Sequence, residues 1–157
     1  MSWTCRLATA LILFVLAVPA AAEDDEDVPY WASLRVDEVN MRVGPAETYR
    51  ISWVYRRTDL PMKVVRRMEG WRLVEDPDGA RGWMLARFLK RDRGAIVSGK
   101  GLAELREKGD ANARLLWQLE PGISGKLGDC EGGWCRFDFG GRMGFVREGR
   151  LWGAGAP

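Results

Sequence analysis

The chain has 157 residues, with 24 lysines and arginines against 22 aspartates and glutamates, and no histidine. A formal charge of +2 lacks the basic excess that nucleic-acid binding needs. Without histidine, Ser–His and Cys–His nucleophile arrangements are excluded, so the chain is expected to be non-catalytic, with no cofactor and no metal.

The first stretch, MSWTCRLATALILFVLAVPAAAEDDED, has the three parts of a cleavable secretory signal over residues 1–22. Arg6 gives the positive start, Leu7 to Val18 the apolar run, and Ala20-Ala21-Ala22 the small residues that a signal peptidase reads. The run is too short for the ~20 residues of a membrane-spanning helix. No integral membrane segment is expected after cleavage, and the location is expected to be periplasmic or secreted. Residues 23–32, which open on an acidic run, are expected to be a flexible leader.

Short strands broken by turns follow. Val39 to Val43 alternates until Gly44-Pro45 breaks it, and Ile51 to Tyr55 is β-branched and aromatic. Met62 to Val65 and Trp71 to Val74 come next, the latter ending at the turn sequence Asp76-Pro77-Asp78-Gly79, and Gly82 to Leu85 closes the set. The stretch from Ala103 to Leu119 is ambiguous, since its leucines could also be read at helical spacing.

The chain then compares with itself. Arg42 precedes Trp53 by 11 residues, as Arg106 precedes Trp117. Gly70-Trp71 corresponds to Gly133-Trp134, and Gly82-Trp83 to Gly144-Phe145. Two copies at residues 33–90 and 94–152 are expected, joined at Lys90 to Ala95, with a flexible tail at 153–157. Such small units bury little surface and are expected to pack on each other. The fold class is all-β: two tandem small β-barrels.

Cys5 lies within the signal, which leaves Cys130 and Cys135. An oxidising compartment makes a disulfide the default. If Glu131 to Trp134 forms a hairpin loop, the two thiols face each other on adjacent strands. A redox pair or a metal site are the alternatives. Redox motifs use C-x-x-C, however, and zinc needs more ligands than remain. Period-two spacing puts Cys135, Phe137 and Phe139 on one face, turned to the core.

The first copy resembles the bacterial SH3-like (SH3b) domain over about Ser33 to Lys90. Its motifs occur in order: Asn40-Met41-Arg42-Val43-Gly44-Pro45, Gly70-Trp71-Arg72-Leu73-Val74, and Gly79-Ala80-Arg81-Gly82-Trp83-Met84. The second copy lacks the Gly-Pro step and has Phe145 for the last tryptophan. The whole looks like a small exported two-copy SH3-domain protein of Gram-negative bacteria. The resemblance implies SH3-like barrels and a binding role. Family members serve as binding modules, several of them on cell-wall hydrolases.

The implied function is non-catalytic recognition in the cell envelope, of peptidoglycan or of extended peptide segments. The alternative is a structural or assembly protein acting through protein–protein contacts without a small ligand. Expected partners are a cell-wall peptide or glycan, or an envelope protein. The candidate groove comprises Tyr49, Trp53, Tyr55, Arg56 and Arg57. Its aromatics could hold an extended ligand and its arginines an acidic peptide. Core filling explains aromatics in a thin barrel equally well, and a solvated strand edge explains the arginines. Trp71 and Trp83 are expected in the core. Glu75, Asp76 and Asp78 surround a turn, where Asp forms local hydrogen bonds.

Overall fold

The structure is a computed structural model, and residues 28–157 are described. The expected signal sequence over residues 1–22 and the acidic run that follows it lie outside the described residues. The first copy contains β1 (Tyr30–Leu34), β2 (Val39–Arg42), β3 (Ile51–Tyr55), β4 (Pro61–Met68), β5 (Trp71–Glu75), β6 (Arg81–Leu85) and β7 (Leu89–Lys90). The second contains β8 (Gly94–Val97), β9 (Ala103–Arg106), β10 (Leu115–Leu119), β11 (Ser124–Glu131), β12 (Trp134–Phe139), β13 (Arg142–Arg147) and β14 (Leu151–Trp152). The ambiguous Ala103 to Leu119 stretch is therefore a pair of antiparallel strands. A turn that includes Gly109-Asp110 separates them and ends the apparent helical period.

The two sheets have one topology. The order is β3-β2-β6-β5-β4-β1-β7 in the first and β10-β9-β13-β12-β11-β8-β14 in the second. Even single pairings recur, Arg42 opposite Trp83 in one copy and Arg106 opposite Phe145 in the other. Arg42 Nη1 donates to Tyr49 O at 2.7 Å, and Arg106 Nη1 to Ala113 O at 2.6 Å. The arginine spaced 11 residues from a tryptophan in each copy is thus a loop tie that crosses the β2–β3 or β9–β10 connection.

Alternation sets what is buried. Along β2, Val39 and Met41 point inward while Asn40 and Arg42 point outward. Leu34, Met62, Val64, Val74 and Met84 complete the first core. Leu105, Leu119, Phe137 and Val146 fill the second, with Cys135 wholly buried among them. Full burial of each such side chain stabilises by roughly 2 kcal/mol.

Cys130 and Cys135 form a disulfide. They sit opposite each other on β11 and β12, and pairing continues one step further, Glu131 to Trp134. The loop is therefore only Gly132-Gly133, both at positive φ, rather than the four residues between the cysteines. Cys130 itself is exposed, so the bridge is buried at one end only. Replacing both cysteines by serine is expected to lower stability by about 2 kcal/mol, the entropy of a very short loop. Urea melts of the variant and of oxidised wild type measure the difference.

The copies pack together through a three-residue link, Arg91 to Arg93. Ile96 of the second copy lies against the first core. Trp31 and Trp152 meet edge to face at 4.8 Å, and Trp31 Nε1 donates to Gly155 O at 3.1 Å. Arg93 Nη2 donates to Gly153 O at 2.6 Å and to Gly155 O at 2.9 Å. Two sequence expectations change here. Residues 30–32 belong to β1, not to a flexible leader, because Tyr30 to Ala32 pair with Met62 to Val64. The 153–157 tail is anchored at Gly153 and Gly155 by the indole and guanidinium groups of Trp31 and Arg93.

Candidate functional site

β3 is the edge strand of the first sheet, and the face that carries Trp53 and Tyr55, shared with Met41 and Val39 of β2, begins the site. Trp53 stands in solvent at 60% exposure. Tyr55, on the same face two residues later, is buried. Its hydroxyl donates to Asp76 Oδ2 at 2.7 Å and lies 3.7 Å from Met41 Sδ. Burial first, and then the hydrogen bond and charge of Asp76, hold the Tyr55 phenol far above its ordinary range. It stays neutral and serves as a donor.

Asp76 is itself buried. Its Oδ1 accepts from the backbone N–H of Asp78 at 3.0 Å and of Ala80 at 2.8 Å. The Asp-Pro-Asp-Gly sequence thus folds as a turn around one carboxylate, which also fixes Tyr55. Beside it Glu75 meets Arg81 Nε at 2.7 Å and Lys63 Nζ at 3.1 Å. Its carboxyl is held below the ordinary range, first by Arg81 and then by Lys63. A carboxyl with a lowered folded value stabilises above its unfolded value, near pH 4. That contribution disappears as pH falls through the folded value. Glu75→Gln is therefore expected to lower the urea midpoint at pH 7 and to leave it unchanged once the pH lies below the folded value; melts across the acid range test the sign.

Trp53, Tyr55 and Asp76 belong to the lining of a groove of about 690 Å³. Trp53, Tyr55, Arg56, Arg57, Leu60, Asp76, Asp78 and Arg81 come from the first copy, while Ile96 and Gly122 come from the second. Four of the five residues singled out in sequence thus meet. Tyr49 does not join them: its ring covers Gly44, where any Cβ would lie within 2.7 Å of ring carbons. Tyr55 contributes as a buried brace rather than an exposed platform. Arg56 pairs with Glu38 at 3.0 Å, both side chains well exposed, an ion pair of little net worth. Arg57 reaches across to the second copy, its Nη1 donating to Gly122 O at 2.7 Å. Asp76, Arg81, Ile96 and Gly122 were not legible as groove residues. Only the turn role of Asp76 had a local signal.

Trp83 is buried as expected, but Trp71 is half-buried at a shallow recess with Asn40, Arg42 and Phe88. Asn40 lies on β2. Among the described residues, no group of histidine, cysteine, aspartate or glutamate side chains could hold a metal ion, and no helix is long and apolar enough to cross a membrane.

The second copy does not repeat the groove. In place of Tyr55 and Asp76, register puts Leu119 and Phe139, and Arg142 stands where the first copy has Ala80. The Arg142 guanidinium lies 5.0 Å from the Trp117 ring centroid and 5.7 Å from that of Phe139. One face of the equivalent tryptophan thus already carries a cation of its own chain, while the residue as a whole stays 50% exposed.

Comparison with solved structures finds NlpC1 and NlpC2 from Trichomonas vaginalis and an NlpC/P60 family protein from Bacillus cereus, each 12% identical. TM-scores are 0.37, 0.36 and 0.35, over 83%, 79% and 80% of this chain. The chain spans 48% of each Trichomonas protein and 57% of the Bacillus protein. No curated protein matches it in sequence. The family model for the bacterial SH3 domain matches twice, over residues 35–90 and 99–153. With both matches resting on the same strand order and the same arginine loop tie, the chain belongs to the bacterial SH3 domain family.

Proposed function

We propose that this protein is a non-catalytic binding module of the cell envelope, and that the groove of its first copy holds an extended peptide bearing a carboxylate. The observation that carries the reading is the groove itself. An exposed indole stands beside arginines over a floor fixed by the Tyr55–Asp76 hydrogen bond. The indole offers a flat apolar surface at low entropic cost. Arg56 is held only by a solvent-exposed ion pair, which a ligand carboxylate can replace with a bidentate contact. The peptide stems of peptidoglycan and an extended segment of an envelope protein both supply that chemistry. The disulfide supports an exported location, as does the composition of residues 1–22.

The test is pelleting of the mature protein with insoluble peptidoglycan, with soluble stem peptides as competitors. Pelleting reversed by the peptides is the expected result. A folded, disulfide-bonded protein that stays in the supernatant would remove the cell-wall ligand and leave a protein segment as the partner. The assembly reading rests on Leu115, Trp117 and Met143, which expose apolar surface on the second copy. It predicts a mass that rises with concentration.

A further inference from the structure

A second cavity, of about 590 Å³, lies in the seam between the two copies. The turn Arg57-Thr58-Asp59 forms one wall, and Gly122 to Lys126 with Asp138 and Gly140-Gly141 form the other. The walls are the same turn from each copy. Asp59 N donates to Leu34 O in the first, and Gly122 N to Val97 O in the second. Both residues have positive φ, 56° at Asp59 and 93° at Gly122. Repetition of the fold has brought two equivalent turns face to face.

Arg57 and Gly122 line both this cleft and the Trp53 groove. The Arg57–Gly122 hydrogen bond is therefore the boundary between two adjoining cavities. The groove has the aromatic platform, and the cleft has polar groups.

The cleft also holds a cation that the first copy neutralises and the second does not. Lys63 faces Glu75 across β4 and β5 and closes an ion pair with it at 3.1 Å. The equivalent pair on β11 and β12 is Lys126 opposite Asp138. Here no ion pair forms: Asp138 Oδ1 instead accepts from the Gly141 N–H at 2.9 Å, holding the tight turn. Among the described residues the Lys126 ammonium has no hydrogen bond or ion pair, and neither have the hydroxyls of Thr58 and Ser124. Asp59, the other carboxylate of the cleft, is taken by Lys90 at 2.6 Å. The free groups are one ammonium and two hydroxyls, beside glycine-rich backbone.

We infer that the seam cleft is a second subsite for the same ligand, in which Lys126 receives a further carboxylate of an extended peptide that starts on Trp53 and crosses at Arg57. This rests on the proposed groove function and extends it, since the second copy then contributes binding groups although it does not repeat the groove. Charge complementarity selects an acidic peptide over a neutral glycan: with Asp59 neutralised by Lys90, the two lining cations Arg57 and Lys126 outweigh the one remaining carboxylate, Asp138.

The experiment is calorimetric titration of the full mature chain with two soluble peptidoglycan stem peptides, one truncated and one long with an additional carboxylate. The variants are Lys126→Gln, Trp53→Ala and, as a control at an exposed lysine outside both cavities, Lys100→Gln. Lys126→Gln is expected to weaken the long peptide about tenfold, the loss of one charge-assisted contact, and to leave the truncated one unchanged. Trp53→Ala weakens both peptides, and Lys100→Gln neither. Equal affinity of Lys126→Gln and wild type for the long peptide, with Trp53→Ala still weakening both, overturns the subsite and leaves the groove standing. Wild type binding neither peptide overturns the subsite and removes the cell-wall peptide as the occupant of the groove. A Lys126 effect seen equally with a peptide-free glycan oligomer overturns the assignment of the occupant as a peptide.

Discussion

Asp76→Ala is expected to lower the stability of the first copy by about 3 kcal/mol, a loss belonging to a small class of buried-network changes. The carboxylate accepts from one side chain and two backbone groups. Its removal leaves the Tyr55 hydroxyl without that partner in the interior and opens the turn between β5 and β6. Asp76→Asn keeps an oxygen for the backbone donors and is expected to lose less than half as much. Tyr55→Phe removes only the hydroxyl and is expected to cost about 1 kcal/mol. Urea melts of the three variants establish the order, and equal losses for alanine and asparagine would show that the charge rather than the turn is what matters. The same series speaks to function. Tyr55 forms the floor of the groove through Asp76, so Asp76→Ala should also weaken ligand binding, while Tyr55→Phe, which keeps the ring, should not.

Gly94→Ala is expected to be comparably disruptive, for a different reason. Gly94 opens β8, and a Cβ there would lie 2.1 Å from Asp59 O and 3.3 Å from the Ser33 Cβ. The obstacle is backbone, so no rotamer change relieves it, and the seam between the copies must widen. Overpacking at such a point costs about 3 kcal/mol. The Arg57–Gly122 bond, the Ser33 Oγ–Asp92 O bond of 2.7 Å and the walls of both cavities depend on that seam. A thermal melt that splits into two transitions, with the ligand affinity reduced, is the expected outcome. A wild-type melt and affinity would mean that the copies are held together elsewhere, by Trp31, Trp152 and the anchored tail.

How far the sequence carried differs between fold and site. The repeat was legible because it rests on rigid markers, an arginine 11 residues from a tryptophan and glycine before an aromatic, that set strand register in both copies. Strand positions followed from period-two alternation and turn residues. The strand pair over Ala103 to Leu119 was obscured because Leu102/Leu105 and Leu115/Leu119 each fall at helical spacing, and it is the pairing of β9 with β10 that decides between the two.

The site was half legible. Trp53 sits on an edge strand and the arginines just after it, and they can be found by composition. Asp76 reads as a turn residue, and nothing local shows that Tyr55 reaches it. Ile96 and Gly122 could not be found at all, since they enter the groove only through the packing of one copy on the other. Tyr49 was included for its aromatic character and its position in the loop, whereas its ring is used against Gly44. The contact of Arg142 with the Trp117 ring depends on one substitution, arginine at the place of Ala80, which acquires meaning only when the two strand ladders are superposed.

The account is tested most directly by comparing two tryptophans in the peptidoglycan pelleting assay. Both are exposed, Trp53 at 60% and Trp117 at 50%, and both occupy the same place in their copies. Trp53→Ala is predicted to reduce pelleting about tenfold or more, as expected for an aromatic anchor at the centre of a site, and Trp117→Ala to leave it unchanged. Loss of pelleting with Trp117→Ala and its retention with Trp53→Ala would contradict the assignment of the site to the first copy.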